Sequence, residues 1–156
     1  MQTLIFDTPA YKITSLLANC LKGPSSDSGH TWEEADGWVQ TLCGRSALKC
    51  VLLYLRITKQ LESRTAQILM PQWTCNAVHQ TCHQLCFPTN RPTPGLCGVM
   101  VYHQYGFPQD LKAIDARCTE QNLFVIENSV NCFNSYWRNE IGIDQDRRVA
   151  SIFSWS

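Results

Sequence analysis

The stretch Gly98-Val99-Met100-Val101-Tyr102-His103-Gln104-Tyr105-Gly106-Phe107-Pro108, with Leu123-Phe124-Val125-Ile126-Glu127-Asn128-Ser129 a short way downstream, decides the fold. Each part opens on an apolar run too short for a buried helix and closes on polar residues, as a buried strand does where it meets a turn. Between them, Gln109 to Gln121 alternates apolar and polar residues at helical spacing. Strand, helix and strand at this spacing predict parallel neighbours joined by a right-handed crossover.

The same alternation extends outward. Ala47, Leu48, Val51, Leu52 and Leu55 form an apolar stripe at helical spacing, Gln67 to Met70 reads as a short strand, and Pro71 turns the chain into a helix from Asn76 to Cys86. Val149 to Ser154 is the last strand, and Pro88 to Gly95, with three prolines, reads as a loop. The fold class expected is α/β, a three-layer αβα arrangement around a mostly parallel sheet. Residues before Gly44 follow another pattern: helical spacing from Tyr11 to Leu21, a turn-rich break from Gly23 to Gly29, and a second helix at Thr31, with Glu34 placed for a capping box. They are read as an N-terminal helical arm, residues 1–43, ahead of a domain over 44–156.

At 156 residues the chain has the size of one domain. Thirteen basic residues balance 13 acidic ones, so no long-range field recruits nucleic acid or an anionic membrane. The longest purely apolar run, Cys50 to Leu55, is too short to span a bilayer, and the first twenty residues contain Asp7 and Pro9 without a basic start. A cytoplasmic location is expected. The nine cysteines are then read as reduced thiols packed as small apolar residues.

Two groups of residues could carry chemistry. Gly44-Arg45-Ser46-Ala47-Leu48 opens a helix with small and polar residues, a start that can hold a phosphate on free N–H groups or simply begin a helix. His79, Cys82, His83 and Cys86 can share a helix face as zinc ligands, completed by Cys97 or His103. The plainer reading of that helix, buried thiols with surface histidines, is the one adopted, and no metal site is assigned.

Five segments occur in an order that resembles the DegT/DnrJ/EryC1/StrS family of pyridoxal-phosphate (PLP) dependent sugar aminotransferases. They are Gly44-x-x-Ala47-Leu48, Pro71-x-x-Thr74, His103-x-Tyr105-Gly106-x-Pro108 followed by Asp110-Leu111, Glu127-Asn128-Ser129-Val130-Asn131, and Ser154 at the end of a strand. The resemblance covers Gly44 to Ser156. It implies the first part of a fold-type I large domain, PLP as cofactor, and transfer of an amino group from an amino acid to a keto sugar nucleotide by a homodimer. It also implies that Arg45, Ser46 and Ser154 hold phosphate. Cys75, or Trp73 in its stead, would cover a face of the cofactor ring, although Trp73 reads equally well as a core residue. Asn128 stands where the family has an Asp that keeps the pyridine nitrogen protonated, and a neutral amide cannot stabilise that charge. Asn131 replaces a residue that helps orient the cofactor.

The chain departs from the family in two further ways. The family's aldehyde-binding lysine lies a few residues beyond the serine matched by Ser154, and Lys12, Lys22, Lys49, Lys59 and Lys112 do not match it. No catalytic residue is assigned, and the resemblance implies a segment or degenerate relative of an aminotransferase that is inactive alone. A non-catalytic protein that binds a phosphate-bearing ligand or acts by dimerisation, and a metal-binding module, are the other readings. The segment between Cys75 and His103 is also shorter than in the family, which predicts a sheet lacking one strand, with the loop Pro88 to Gly95 in its place.

Overall fold

The computed structural model describes residues 2–5, 38–107, 109–130 and 148–154. The helices expected at Tyr11 to Leu21 and from Thr31, and the site residue Asn131, lie outside the described residues. Seven strands form one sheet: β1 (Gln2–Ile5), β2 (Trp38–Thr41), β3 (Gln67–Leu69), β4 (Phe87–Thr89), β5 (Leu96–Tyr102), β6 (Phe124–Asn128) and β7 (Arg148–Ser154). Their order is β2-β1-β7-β6-β5-β3-β4. From β7 to β4 the five strands are parallel, and β1 is antiparallel to both of its neighbours.

Among the described residues three α-helices flank this sheet: α1 (Gly44–Ile57), α2 (Asn76–His83) and α3 (Leu111–Glu120). The stripe read from the sequence is the buried face of α1, where Leu52 and Leu55 have no exposed surface. Burial of each such leucine contributes about 1.5–3 kcal/mol. Thr58 closes α1 by donating its hydroxyl to the Tyr54 carbonyl at 3.0 Å, and Lys59, in the left-handed region at φ 60°, turns the chain away. At the start of α3, the Asp110 carboxylate accepts from the Ala113 N–H at 3.1 Å, a side-chain N-cap.

Alternation along the strands divides the core in two. Met100, Phe124, Ile126, Ala150 and Ile152 pack with α1 and with Cys82 of α2. Val101 and Val125 face the other way, onto Leu111 and Cys118 of α3. This is the expected three-layer α/β architecture. β6 is buried along its whole length because it has a strand on each side and a helical layer on each face.

Two differences from the sequence reading concern the sheet. Pro88 and Thr89, at the start of the expected loop, are strand: Phe87–Thr89 pairs in parallel with Gln67–Leu69, so the shortened segment retains an edge strand. Pro88 is tolerated because β4 has only one neighbour. The sequence reading also placed no strand before Gly44, whereas β1 and β2 extend the sheet there. Four-residue strands are too short to show a reliable period, and β7, which joins β1 to the rest of the sheet, is remote in sequence.

Candidate functional site

The parallel strands end at one edge of the sheet, and register brings the start of α1 to that edge. Gln2 of β1 pairs with Thr41 on one side and Ser154 on the other. The ends of β2 and β7 are therefore level, and α1 begins three residues after Thr41. The carboxyl edge of a parallel sheet beside a helix N-terminus is a usual place for an anionic ligand.

The beginning of α1 presents N–H donors outside the helical ladder, and the Cys43 thiol beside them takes hydrogen bonds from Ser46 and Arg45. Cys43, the N-cap, has extended backbone and makes no side-chain cap bond, and no acidic residue lies in the first turn. The first intrahelical bond runs from the Ala47 N–H to the Cys43 carbonyl at 3.0 Å, so the N–H groups of Gly44, Arg45 and Ser46 precede the helical ladder. Arg45 is exposed and Ser46 half-buried. The Ser46 hydroxyl lies 3.4 Å from Cys43 Sγ. Hydrogen bonding from the Ser46 side chain, then from its backbone N–H, lowers the Cys43 thiol from 9.0 to about 7 against an opposing effect of burial. Donors of the first turn thus converge on this thiol.

Asn128 ends β6 and is 5% exposed. Alternation from Ile126, which packs with α1 residues, puts it on the α1 face of the sheet. Its Oδ1 accepts from the Val130 N–H at 3.3 Å, and its backbone carbonyl accepts from the His103 N–H at 3.2 Å. Ser129 follows, nearly fully buried; its hydroxyl has no partner among the described residues.

On the opposite face, His103, Glu127 and Ser151 join the ends of three strands. Glu127 accepts from His103 Nε2 at 2.8 Å and from the Ser151 hydroxyl at 2.7 Å. The Gln109 N–H, 3.0 Å from His103 Nδ1, can only donate, so the ring hydrogen is on Nε2. All three side chains are buried. The network fixes the loop after β5, where Tyr105 and Gly106 both adopt positive φ and the turn closes through Phe107 N–H to Gln104 carbonyl at 3.1 Å. Tyr105 and Phe107 are 80% and 71% exposed.

The sequence-derived residues are thus distributed as follows. Arg45 and Ser46 open α1, Asn128 ends β6, and Ser154 ends β7, all toward the carboxyl edge. Cys75 is the exposed N-cap of α2, beyond the end of β3. Trp73 is 76% exposed and is not a core residue. The His103–Glu127–Ser151 network had no role in the sequence reading, although a carboxylate inside an apolar strand and a histidine at the end of another are a signal of buried pairing.

The histidines and cysteines of α2 do not converge. Cys82 and Cys86 are buried, with the Cys86 thiol donating to the Cys82 carbonyl at 3.3 Å. His83 is exposed and meets Phe87 edge-on at 5.9 Å. Among the described residues no group of three or more His, Cys, Asp or Glu side chains is arranged to hold a metal ion. No described helix is long and apolar enough to cross a membrane. An open depression of about 850 Å³, lined by residues including Lys59, Gln121, Asn122 and Phe124, lies at the amino edge of the sheet, away from Asn128.

No protein-family profile matches the chain, and no curated protein matches it. Solved structures do. Helicobacter pylori PseC, an aminotransferase involved in the biosynthesis of pseudoaminic acid, matches 72% of this chain over 34% of its own, at 14% identity and a TM-score of 0.55. The sugar aminotransferase CalS13 from Micromonospora echinospora matches 59% of this chain over 30% of its own, at 16% identity and a TM-score of 0.46. An aminotransferase from Psychrobacter cryohalolentis matches 56% over 26%, at 22% identity and a TM-score of 0.45. The chain spans about a third or less of the length of each of these structures. The likeness to PseC rests on fold, and by its fold the chain is similar to part of an aminotransferase domain.

Proposed function

We propose that the chain forms the cofactor-binding part of an aminotransferase-like protein and holds PLP by its phosphate at the start of α1. The observation that carries this reading is the register Thr41–Gln2–Ser154, which brings the first-turn N–H groups of α1 to the edge where β6 ends in Asn128. When bound, PLP supplies an electrophilic aldehyde on an electron-withdrawing ring. The chain's own residues bind and orient: Gly44, Arg45 and Ser46 donate to phosphate, Ser154 adds a hydroxyl, and Asn128 meets the ring nitrogen. Asn128, whose Nδ2 has no partner among the described residues, fits a site that a ligand completes. Asn131 assists, and Cys75 or Trp73 covers a face of the ring.

The substrate class proposed, from the family resemblance, is a keto sugar nucleotide receiving its amino group from an amino acid. A second copy of the chain is the proposed partner. Leu42, Trp73, Tyr105 and Phe107 follow the ends of β2, β3 and β5 and are exposed, which suits a covered edge. Catalysis is not assigned to these residues alone: Lys49 is on the exposed side of α1, Lys59 lines the amino-edge depression, and Lys112 belongs to α3 on the other face.

The test is a titration of the purified chain with PLP, repeated in the presence of inorganic phosphate. Saturable binding that phosphate competes away is expected. No saturable binding, or binding indifferent to phosphate, contradicts the reading.

A further inference from the structure

Asn128 does not merely lack the charge of a carboxylate; its orientation decides which group it offers. The Val130 N–H points at one end of the Asn128 amide from 3.3 Å. A backbone N–H can only donate, so that end is Oδ1, and the end left for a ligand is the Nδ2 amide, a donor. Nδ2 has no hydrogen-bond partner among the described residues. We infer that Asn128 donates to the ring nitrogen of the bound heterocycle and selects the unprotonated pyridine. The inference rests on the proposed PLP reading and concerns the state in which that ring is held.

The surroundings agree with a site made of donors. Five acidic residues are described, and none is available on the Asn128 face at this edge. Glu127 is adjacent in sequence, yet both its oxygens are engaged by His103 and Ser151 on the opposite face. Asp110 caps α3, and Asp115 and Glu120 belong to that same helix. Glu62 lines the depression at the amino edge. A protonated ring nitrogen would set its N–H against the Nδ2 hydrogens with no described carboxylate to receive it. An unprotonated nitrogen accepts from Nδ2, and hydrogen bonding to the neutral form of a base lowers its pKa.

The experiment uses the full chain and PLP labelled with ¹⁵N in the ring, with free PLP at high and low pH as the two references. The bound nitrogen is expected at the unprotonated reference near pH 7, titrating about one unit or more below free PLP. In Asn128→Asp the same resonance is expected to move to the protonated reference, and in Asn128→Gln to remain unprotonated. A protonated ring nitrogen on the original chain overturns the inference while leaving the proposed cofactor site intact. Absence of saturable binding by the original chain, read first by absorbance, overturns both. A folded Asn128→Asp variant that binds PLP with its nitrogen still unprotonated also overturns the inference.

Discussion

Glu127 and His103 form a fully buried pair, Oε1 to Nε2 at 2.8 Å, in which the imidazole is neutral because its other nitrogen accepts the Gln109 N–H. The pair ties the end of β6 to the end of β5 and to the approach of α3, and Ser151 extends it to β7. Removing one partner strands the other in the core. Glu127→Ala is expected to destabilise the chain by about 3–5 kcal/mol, measured as a shift in urea midpoint. Glu127→Gln keeps one acceptor and is expected to cost less. Equal, small effects in both variants would show that the network contributes little.

Close packing at Gly98 gives a separate test of the sheet. A Cβ there would run into the Phe124 ring. Gly98→Ala is expected to cost about 1–3 kcal/mol through overpacking, and Phe124→Leu in the same chain is expected to recover part of that loss. A thermal midpoint unchanged by Gly98→Ala would mean that β5 and β6 are not paired in this register.

Much of this fold was legible because its helices and central strands are long enough for periodicity to show. The α1 stripe and the apolar runs of β5 and β6 fall where the residues put them. Three-residue β4 contains a proline and has no alternation to read, so it passed for loop. β1 joins the parallel strands through β7, some 150 residues away, and no local signal carries such a pairing. The site divided in the same way. Arg45, Ser46 and Asn128 stood in segments with a recognisable order. The pairing of Glu127 with His103 and Ser151 depends on which face each strand presents, and the exposure of Trp73 depends on what covers the turn after β3.

Cys43 reports on the donors of α1. Its thiol is lowered to about 7, chiefly by the Ser46 hydroxyl. The folded-state value lies below the ordinary 9.0, so the bonded thiolate adds stability that is complete above the unfolded value and lost as pH falls through about 7. Alkylation of Cys43 by iodoacetamide, followed by mass spectrometry, is expected to rise with a midpoint near pH 7 and to slow when inorganic phosphate draws on the same donors. A midpoint at the ordinary thiol value, with no effect of phosphate, contradicts this electrostatic picture.

The buried face of α1 is expected to set the stability of the domain. Leu55→Ala removes a side chain with no exposed surface and is expected to cost about 2–5 kcal/mol, read from chemical unfolding. A cost below about 1 kcal/mol would mean that α1 is not seated on the sheet, and the phosphate site would lose its support.

The start of α1 can be tested without weakening the helix. Ser46→Asp puts a carboxylate in the first turn, where it complements the helix dipole but repels a bound phosphate. PLP titration of this variant beside the original chain, with thermal midpoints for both, is the measurement that bears most directly on the cofactor reading. Affinity reduced about tenfold or more, with a midpoint equal or higher, is expected. Undiminished affinity in a folded Ser46→Asp chain would contradict a phosphate held at this helix.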